Sequence, residues 1–328
     1  MRKDTQTKWK ETMADRIKKV AVLGMGVIGS GWVTLCAAKG YDVSAYSRKA
    51  ETRTRGFETV RSNLAFLSST GLLSEENVKL SLERIILSGE VAEAVQDADC
   101  VIESVADSYA VKKPLFKEMD RHAPAEAILA SSSSGLSPTE LQKDLTDKDK
   151  CIIAHPWNPP HLIPLVEVVP GEYTSRETID RTMALMKDLR KIPCLVNKVV
   201  PGYIGNRLAA ALWREAIDMV IHGVATVEDV DRALFAGPGI RWAFMGPHMI
   251  YHLGGGEAGG IGHFIDGIGN TTFHTIWKEL ATWDYIDDSM KAQLTDGVMK
   301  EMEGRSFKEV AGRRDEMLVK LLSLIYEH

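Results

Sequence analysis

The sequence predicts an α/β chain, with a Rossmann-type doubly wound parallel sheet over residues 18–198, an all-α domain over residues 199–328 and an N-terminal extension of residues 1–17. Three observations carry this. Short apolar runs of strand length alternate with helix-length segments as far as Val196, which is the pattern of βαβ units. The first run ends in Gly24-Met25-Gly26-Val27-Ile28-Gly29, glycines placed where a strand turns into a helix. After Pro201-Gly202 the period changes, and from Tyr203 the patterns are almost wholly helical.

The elements follow in order. Residues 1–17 are polar and read as a solvated or helical extension. Val20 to Leu23 is a buried strand candidate, and a helical pattern from Val27 to Lys39 ends at Gly40, which suits a left-handed residue after a helix. Val43 to Tyr46 is the second strand, and Glu51 to Leu82 reads as one or two helices. Further strands are expected at Ile85–Leu87, Cys100–Val105, Ile128–Ala130, Cys151–Ala154, Leu165–Val169 and Cys194–Val196, with helices at Val111–Asp120 and Thr139–Leu145. In the second domain one long amphipathic helix ends near Gly223, and Thr226 with Asp229 resembles a capping box opening the next. Its apolar helices have little chance of covering one another within so short a domain. The segment Leu253 to Gly269, with eight glycines from Gly254 onward, is the only biased stretch.

Composition narrows the function. Hydrophobic residues make up 45% and charged residues 26% of 328, which is ordinary globular composition with enough chain to bury a core. A net charge of −5 leaves no global basic field, so nucleic acid and anionic membranes are not expected partners. No run approaches the length of a membrane span, and the polar N-terminus carries no apolar leader pattern. The cysteines Cys36, Cys100, Cys151 and Cys194 stand singly, as reduced core thiols of a cytoplasmic protein would. His248, His252, His263 and His274 are spaced poorly for metal ligation, and no metal is expected.

The residues that carry chemistry fall into two groups. In the glycine pattern, Gly24 permits a tight turn, Gly26 lets the backbone approach a pyrophosphate and Gly29 allows close helix packing, with Val27 and Ile28 opening the helix that faces the phosphates. A dinucleotide site normally carries an acid about 20 residues further on, for the adenosine ribose. Here the second strand runs instead into Ser47-Arg48-Lys49, a hydroxyl and two cations that would bind a 2′-phosphate, so NADP(H) is expected over NAD(H). The second group is Ala154-His155-Pro156-Trp157-Asn158 with Leu165-Val166-Glu167-Val168-Val169. His155 is a base suited to a hydroxyl proton near neutral pH. Glu167 is a carboxylate in an apolar strand, which needs a partner such as the His155 imidazole. By itself, either a catalytic or a satisfied structural histidine fits this pattern.

Taken together, the glycine fingerprint, Ser131-Ser132-Ser133-Ser134-Gly135-Leu136, the segments around His155 and Glu167, and Pro201-Gly202-Tyr203-Ile204-Gly205-Asn206-Arg207 resemble the L-3-hydroxyacyl-CoA dehydrogenase superfamily from about Lys18 to Leu234. Within it, Gly239 to Phe264 is more similar to the carnitine 3-dehydrogenase and L-gulonate 3-dehydrogenase (lambda-crystallin) branch, whose members act on free hydroxy acids. The resemblance implies His155 as general acid/base, Glu167 as its orienting partner, and Ser134 and Asn206 as hydrogen-bonding groups for the substrate oxygen. It places Asp107 and Lys112 beside the nicotinamide, Asp107 standing where a longer Glu is usual. It also implies a homodimer through the C-terminal domain.

The implied activity is an NAD(P)-dependent hydride transfer at the 3-hydroxy/3-keto position of a small L-3-hydroxy acid. Glu51 to Glu83 shows no feature that matches CoA binding, although a CoA thioester substrate and a non-catalytic, crystallin-like dinucleotide-binding protein are the alternatives. Arg241 is the candidate partner for a substrate carboxylate, and Trp157, with Trp213 and Trp242, for a pocket wall or a quaternary-ammonium cage.

Overall fold

The computed structural model describes residues 17–326, so the N-terminal extension before Ile17 lies outside the described residues. Two compact units divide between Arg207 and Leu208. The first is built on strands β1 (Lys19–Leu23), β2 (Asp42–Tyr46), β3 (Ile85–Ser88), β4 (Cys100–Glu103), β5 (Ile128–Ser131), β6 (Cys151–Pro156), β7 (Leu165–Pro170) and β8 (Ile192–Leu195). Between and after them lie helices α1 (Val27–Ala38), α2 (Ala50–Ser69), α3 (Glu75–Glu83), α4 (Val91–Val95), α5 (Tyr109–His122), α6 (Pro138–Gln142), α7 (Arg176–Asp188) and α8 (Gly205–Ile221).

The strands form one sheet in the order β3-β2-β1-β4-β5-β6-β7-β8. The order reverses between β1 and β4, and crevices at such switch points, beyond the carboxyl ends of the strands, are where doubly wound sheets bind ligands. The sheet is mixed rather than wholly parallel, because β6 and β7 run antiparallel. Only residues 157–164 join these two strands, too few for a helical crossover, so the chain must turn straight back. Directly opposed residues on antiparallel strands share a face, and this register sets His155 opposite Glu167.

The core lies on both faces of the sheet, as a buried parallel sheet requires. On one face Val20, Val22, Trp32, Ile102, Ile152 and Val168 pack together; on the other, Leu23, Val101, Phe116, Met119, Leu129 and Leu141 do so. Cys36, Cys100 and Cys151 are buried within these clusters and Cys194 is half-buried; all four are free. Burial pushes the Cys100 thiol up to about 12, an inert state.

The second unit continues from α8 through α9 (Val227–Ala236), α10 (Pro238–Trp242), α11 (Pro247–Gly254), α12 (Gly260–Phe264), a π-helical stretch Ile265–Phe273, α13 (His274–Glu279), α14 (Asp288–Met302) and α15 (Phe307–Tyr326). Thr226 caps α9, its hydroxyl accepting from the Asp229 amide at 3.1 Å. The glycine-rich stretch turns at residues 255–259 and is otherwise helical, with Tyr251 and Phe264 stacked at 4.9 Å across that turn; beyond it Phe273 stacks on Trp277 at 5.9 Å. No helix among the described residues is long and apolar enough to cross a membrane.

Candidate active site

The glycine loop follows directly from β1. Gly24 adopts φ +110°, and a Cβ there would meet the Ser104 carbonyl oxygen at 2.6 Å. A Cβ on Gly29 would overlap the Gly24 carbonyl oxygen, so both positions exclude side chains. Gly26, in contrast, faces open space and opens α1 with no side chain capping the helix. Free amide N–H groups and an open approach are what a pyrophosphate needs. The residues present therefore fit a dinucleotide. Val27 is exposed at this helix start, and Ile28 lines the adjoining cleft.

Ser47, half-buried, and the exposed Arg48 and Lys49 connect β2 to α2. Arg53, one turn into α2, donates from Nη1 to the Ser47 carbonyl at 2.6 Å and reaches the Arg48 carbonyl at 3.3 Å. This guanidinium shapes the cationic turn, and nothing in the local sequence distinguished it from a solvated helix charge.

Beyond the ends of β4, β5 and β6 lies a cleft of about 430 Å³, lined by Ile28, Ser104, Val105, Asp107, Lys112, Ser132, Ser133, Ser134, His155, Pro156, Trp157, Asn158 and Asn206. His155 is 6% exposed and Glu167 fully buried. His155 Nδ1 and Glu167 Oε2 lie 2.8 Å apart. Glu167 Oε1 accepts the amides of Ile204 at 2.8 Å and Gly205 at 2.9 Å. Burial alone would raise the Glu167 carboxyl, but the bonds from His155 and from the two amides outweigh it and hold the group below its usual value. An ionised Glu167 keeps the proton of the neutral imidazole on Nδ1, which leaves Nε2 free to accept one. Tyr203 packs edge-on to the imidazole, its ring centre 5.7 Å away, and donates its hydroxyl to the Leu136 carbonyl.

Asp107 is engaged with the serine loop. Its carboxylate accepts from the Ser133 hydroxyl at 2.6 Å and from both the hydroxyl and the amide of Ser134 at 3.1 and 3.2 Å. Lys112 lines the cleft too, but its ammonium is committed to Glu103 at 2.7 and 2.8 Å. Glu103 also accepts the Ser131 hydroxyl and the Val105 amide. Sequence reasoning passed over Glu103, although an acid ending an apolar strand was the available signal, the one that had drawn attention to Glu167.

The Trp157 indole covers the backbone of Gly205, where a Cβ would come within 2.8 Å of the ring, and its N–H is buried without a partner among the described residues. Thus His155, Glu167, Ser134, Asn206, Asp107, Lys112 and Trp157 come together in the first unit. Arg241, Trp213 and Trp242 are exposed residues of the second unit. Among the described residues no group of three or more His, Cys, Asp or Glu side chains is arranged to hold a metal.

Comparison with known proteins identifies the family of both domains. Residues 19–199 match the 3-hydroxyacyl-CoA dehydrogenase NAD binding domain, and residues 202–296 the C-terminal domain of the same family. The chain is 37% identical over 312 residues to an L-carnitine dehydrogenase of Oceanobacillus iheyensis, covering 95% of this chain and 99% of that protein. It is 38% identical over 314 residues to one of Bacillus cereus, covering 95% and 94%. Among solved structures, an NAD+-dependent dismutase, 5-formyl-3-hydroxy-2-methylpyridine 4-carboxylic acid 5-dehydrogenase, superimposes with a TM-score of 0.79 at 25% identity, over 94% of this chain and 99% of that one. The chain belongs to the 3-hydroxyacyl-CoA dehydrogenase family and is a dinucleotide-dependent dehydrogenase acting on CH–OH donors.

Proposed function

We propose that the protein interconverts a small, carnitine- or gulonate-like L-3-hydroxy acid and its 3-keto form, with His155 as general acid/base. The observation that carries this reading is the 2.8 Å contact between His155 Nδ1 and a buried Glu167 that two amides also hold, inside a cleft shared with Ser134 and Asn206. Glycines 24, 26 and 29, with Val27 and Ile28, hold the dinucleotide, which supplies hydride acceptance and donation at the substrate carbon when bound. His155 Nε2 takes the hydroxyl proton in oxidation and returns it in reduction. Glu167 keeps the imidazole in the tautomer and orientation this requires and stabilises the imidazolium, a base-and-orienter logic that recurs on unrelated folds.

Ser134 and Asn206 hydrogen-bond the substrate oxygen and fix the reacting carbon. The Ser134 hydroxyl turns from Asp107 to substrate while Asp107 retains the Ser133 hydroxyl and the Ser134 amide. Asp107 and the Glu103-bound Lys112 form the nicotinamide side of the cleft. Trp157 forms a substrate wall, and Arg241 is the proposed partner of the substrate carboxylate.

The cationic turn Ser47-Arg48-Lys49, shaped by Arg53, supports NADP(H) over NAD(H): it offers a 2′-phosphate two exposed positive charges where a carboxylate would repel it. The test is absorbance at 340 nm with carnitine, L-gulonate, 3-hydroxybutyrate and 3-hydroxybutyryl-CoA, each with both cofactors. We expect turnover of a free hydroxy acid with the higher kcat/KM for NADP, and reversal of that preference in Ser47→Asp. Equal or better use of NAD removes the preference; turnover confined to the thioester removes the free-acid substrate.

The second reading concerns assembly. Trp213, Phe235, Leu253, Trp277 and Phe307 of the second unit are each at least 60% exposed, large apolar side chains that an interface with a second copy would cover. A homodimer through the C-terminal domain, with the domain boundary near Val199, accounts for it. Analytical ultracentrifugation is expected to give a dimer, and a stable monomer at micromolar concentration would remove this assignment. The free thiols suit a cytoplasmic setting.

A further inference from the structure

Lys191, immediately before β8, is buried at 6% exposure, yet its ammonium is spent on carbonyl oxygens rather than on a carboxylate. Nζ donates to the carbonyls of Pro160 and, at 2.6 Å, Ile163. Both belong to the loop 157–164, whose first residues, Trp157 and Asn158, form one wall of the cleft. Prolines 159, 160 and 164 lack amide protons, so this loop is short of internal donors for its own carbonyls. The same loop seats Pro160 on Gly31 of α1, where a Cβ would come within 2.7 Å.

The ammonium also lies 5.7 Å from the centre of the Trp32 ring, on the face of a fully buried indole. Trp32 Nε1 donates to Ser132 Oγ at 3.0 Å, and Ser132 Oγ is 2.9 Å from Ser104 Oγ; both serines also line the cleft. One buried amine thus bears on both parts of the cleft lining. Burial pushes it down to about 7, and even the neutral amine keeps the two N–H donors that the two carbonyls require. An apolar side chain of equal length would fill this space without the desolvation penalty. The donors are what it could not replace.

We propose that Lys191 is a positioning residue for the dehydrogenation: it clamps the loop 157–164 and Trp32 so that the Trp157–Asn158 wall and the Ser104–Ser132 wall keep one spacing about His155. The inference rests on the dehydrogenase reading of this cleft. Lys191→Met, which keeps the apolar stem and loses the donors, tests it by hydrogen exchange of residues 157–164, dinucleotide Kd, and kcat and KM for the hydroxy acid. We expect faster exchange at the Leu162 and Ile163 amides and a kcat lower by about tenfold or more, as sub-ångström misplacement of reacting groups produces. Dinucleotide Kd should stay near wild type.

Unchanged loop exchange with an unchanged kcat overturns the proposal, and so does a kcat loss that merely follows lost dinucleotide affinity and a lower Tm. Should Lys191→Met not fold, Trp32→Phe keeps a ring and removes the bond to Ser132. It is expected to lower kcat several-fold at unchanged Kd, and an unchanged kcat there overturns the proposal equally. Wild-type protein without His155-dependent turnover would defeat the dehydrogenase reading instead, while loop exchange would still decide whether the clamp exists.

Discussion

Replacing His155 with alanine is expected to lower kcat by ~10²–10⁴-fold, the usual contribution of a positioned general base, while dinucleotide affinity stays near wild type. The base acts on the substrate hydroxyl, and the glycine loop that holds the dinucleotide is a separate element. Turnover at 340 nm that survives the substitution would refute the mechanism. A second signature follows from Glu167. Its carboxyl is held below the usual value in part by the His155 bond, so it contributes stability above its unfolded-state pKa that is lost as pH falls through the folded value. Without His155 the folded value rises, and the acid limb of the Tm-against-pH curve should begin at higher pH in His155→Ala. Coincident acid limbs would show that the bond does not hold the carboxylate.

The largest stability effect is expected at Lys112. Its ammonium and the Glu103 carboxylate are both essentially inaccessible, at 1% and 0% side-chain exposure. Lys112→Met leaves a buried carboxylate with only the Val105 amide and the Ser131 hydroxyl, and removing one member of a buried pair costs about 3–5 kcal/mol. Urea denaturation measures this as a lower midpoint. Adding Glu103→Leu should recover only part of the loss, because the Val105 and Ser131 donors are then orphaned in turn. A wild-type midpoint in Lys112→Met would mean that water reaches Glu103. The pair also explains why Lys112, expected beside the nicotinamide, is no mobile cation: its charge is already used in fixing the turn that follows β4.

The succession of strands and helices, the glycine turn after β1 and the helical character of the second half are legible in the residues alone. Each is written in local periodicity or in a backbone requirement such as the positive φ at Gly24. The sequence also marked His155 and Glu167, since a histidine ending a strand and an acid within an apolar one are conspicuous one residue at a time. Strand direction was less legible. The antiparallel return at β7 depends on the shortness of a proline-rich loop, and apolar runs look alike in either orientation.

Partnerships were decided only in three dimensions. His155 meets Glu167 because of a register between β6 and β7, Glu103 meets Lys112 across a turn, and Lys191 reaches Pro160 and Ile163 from 28 or more positions away. A charge bound for burial and one bound for solvent carry the same letter in a sequence. What separates them is the low-dielectric surroundings that the fold assembles, where an unpaired group is costly and each donor or acceptor must find its partner.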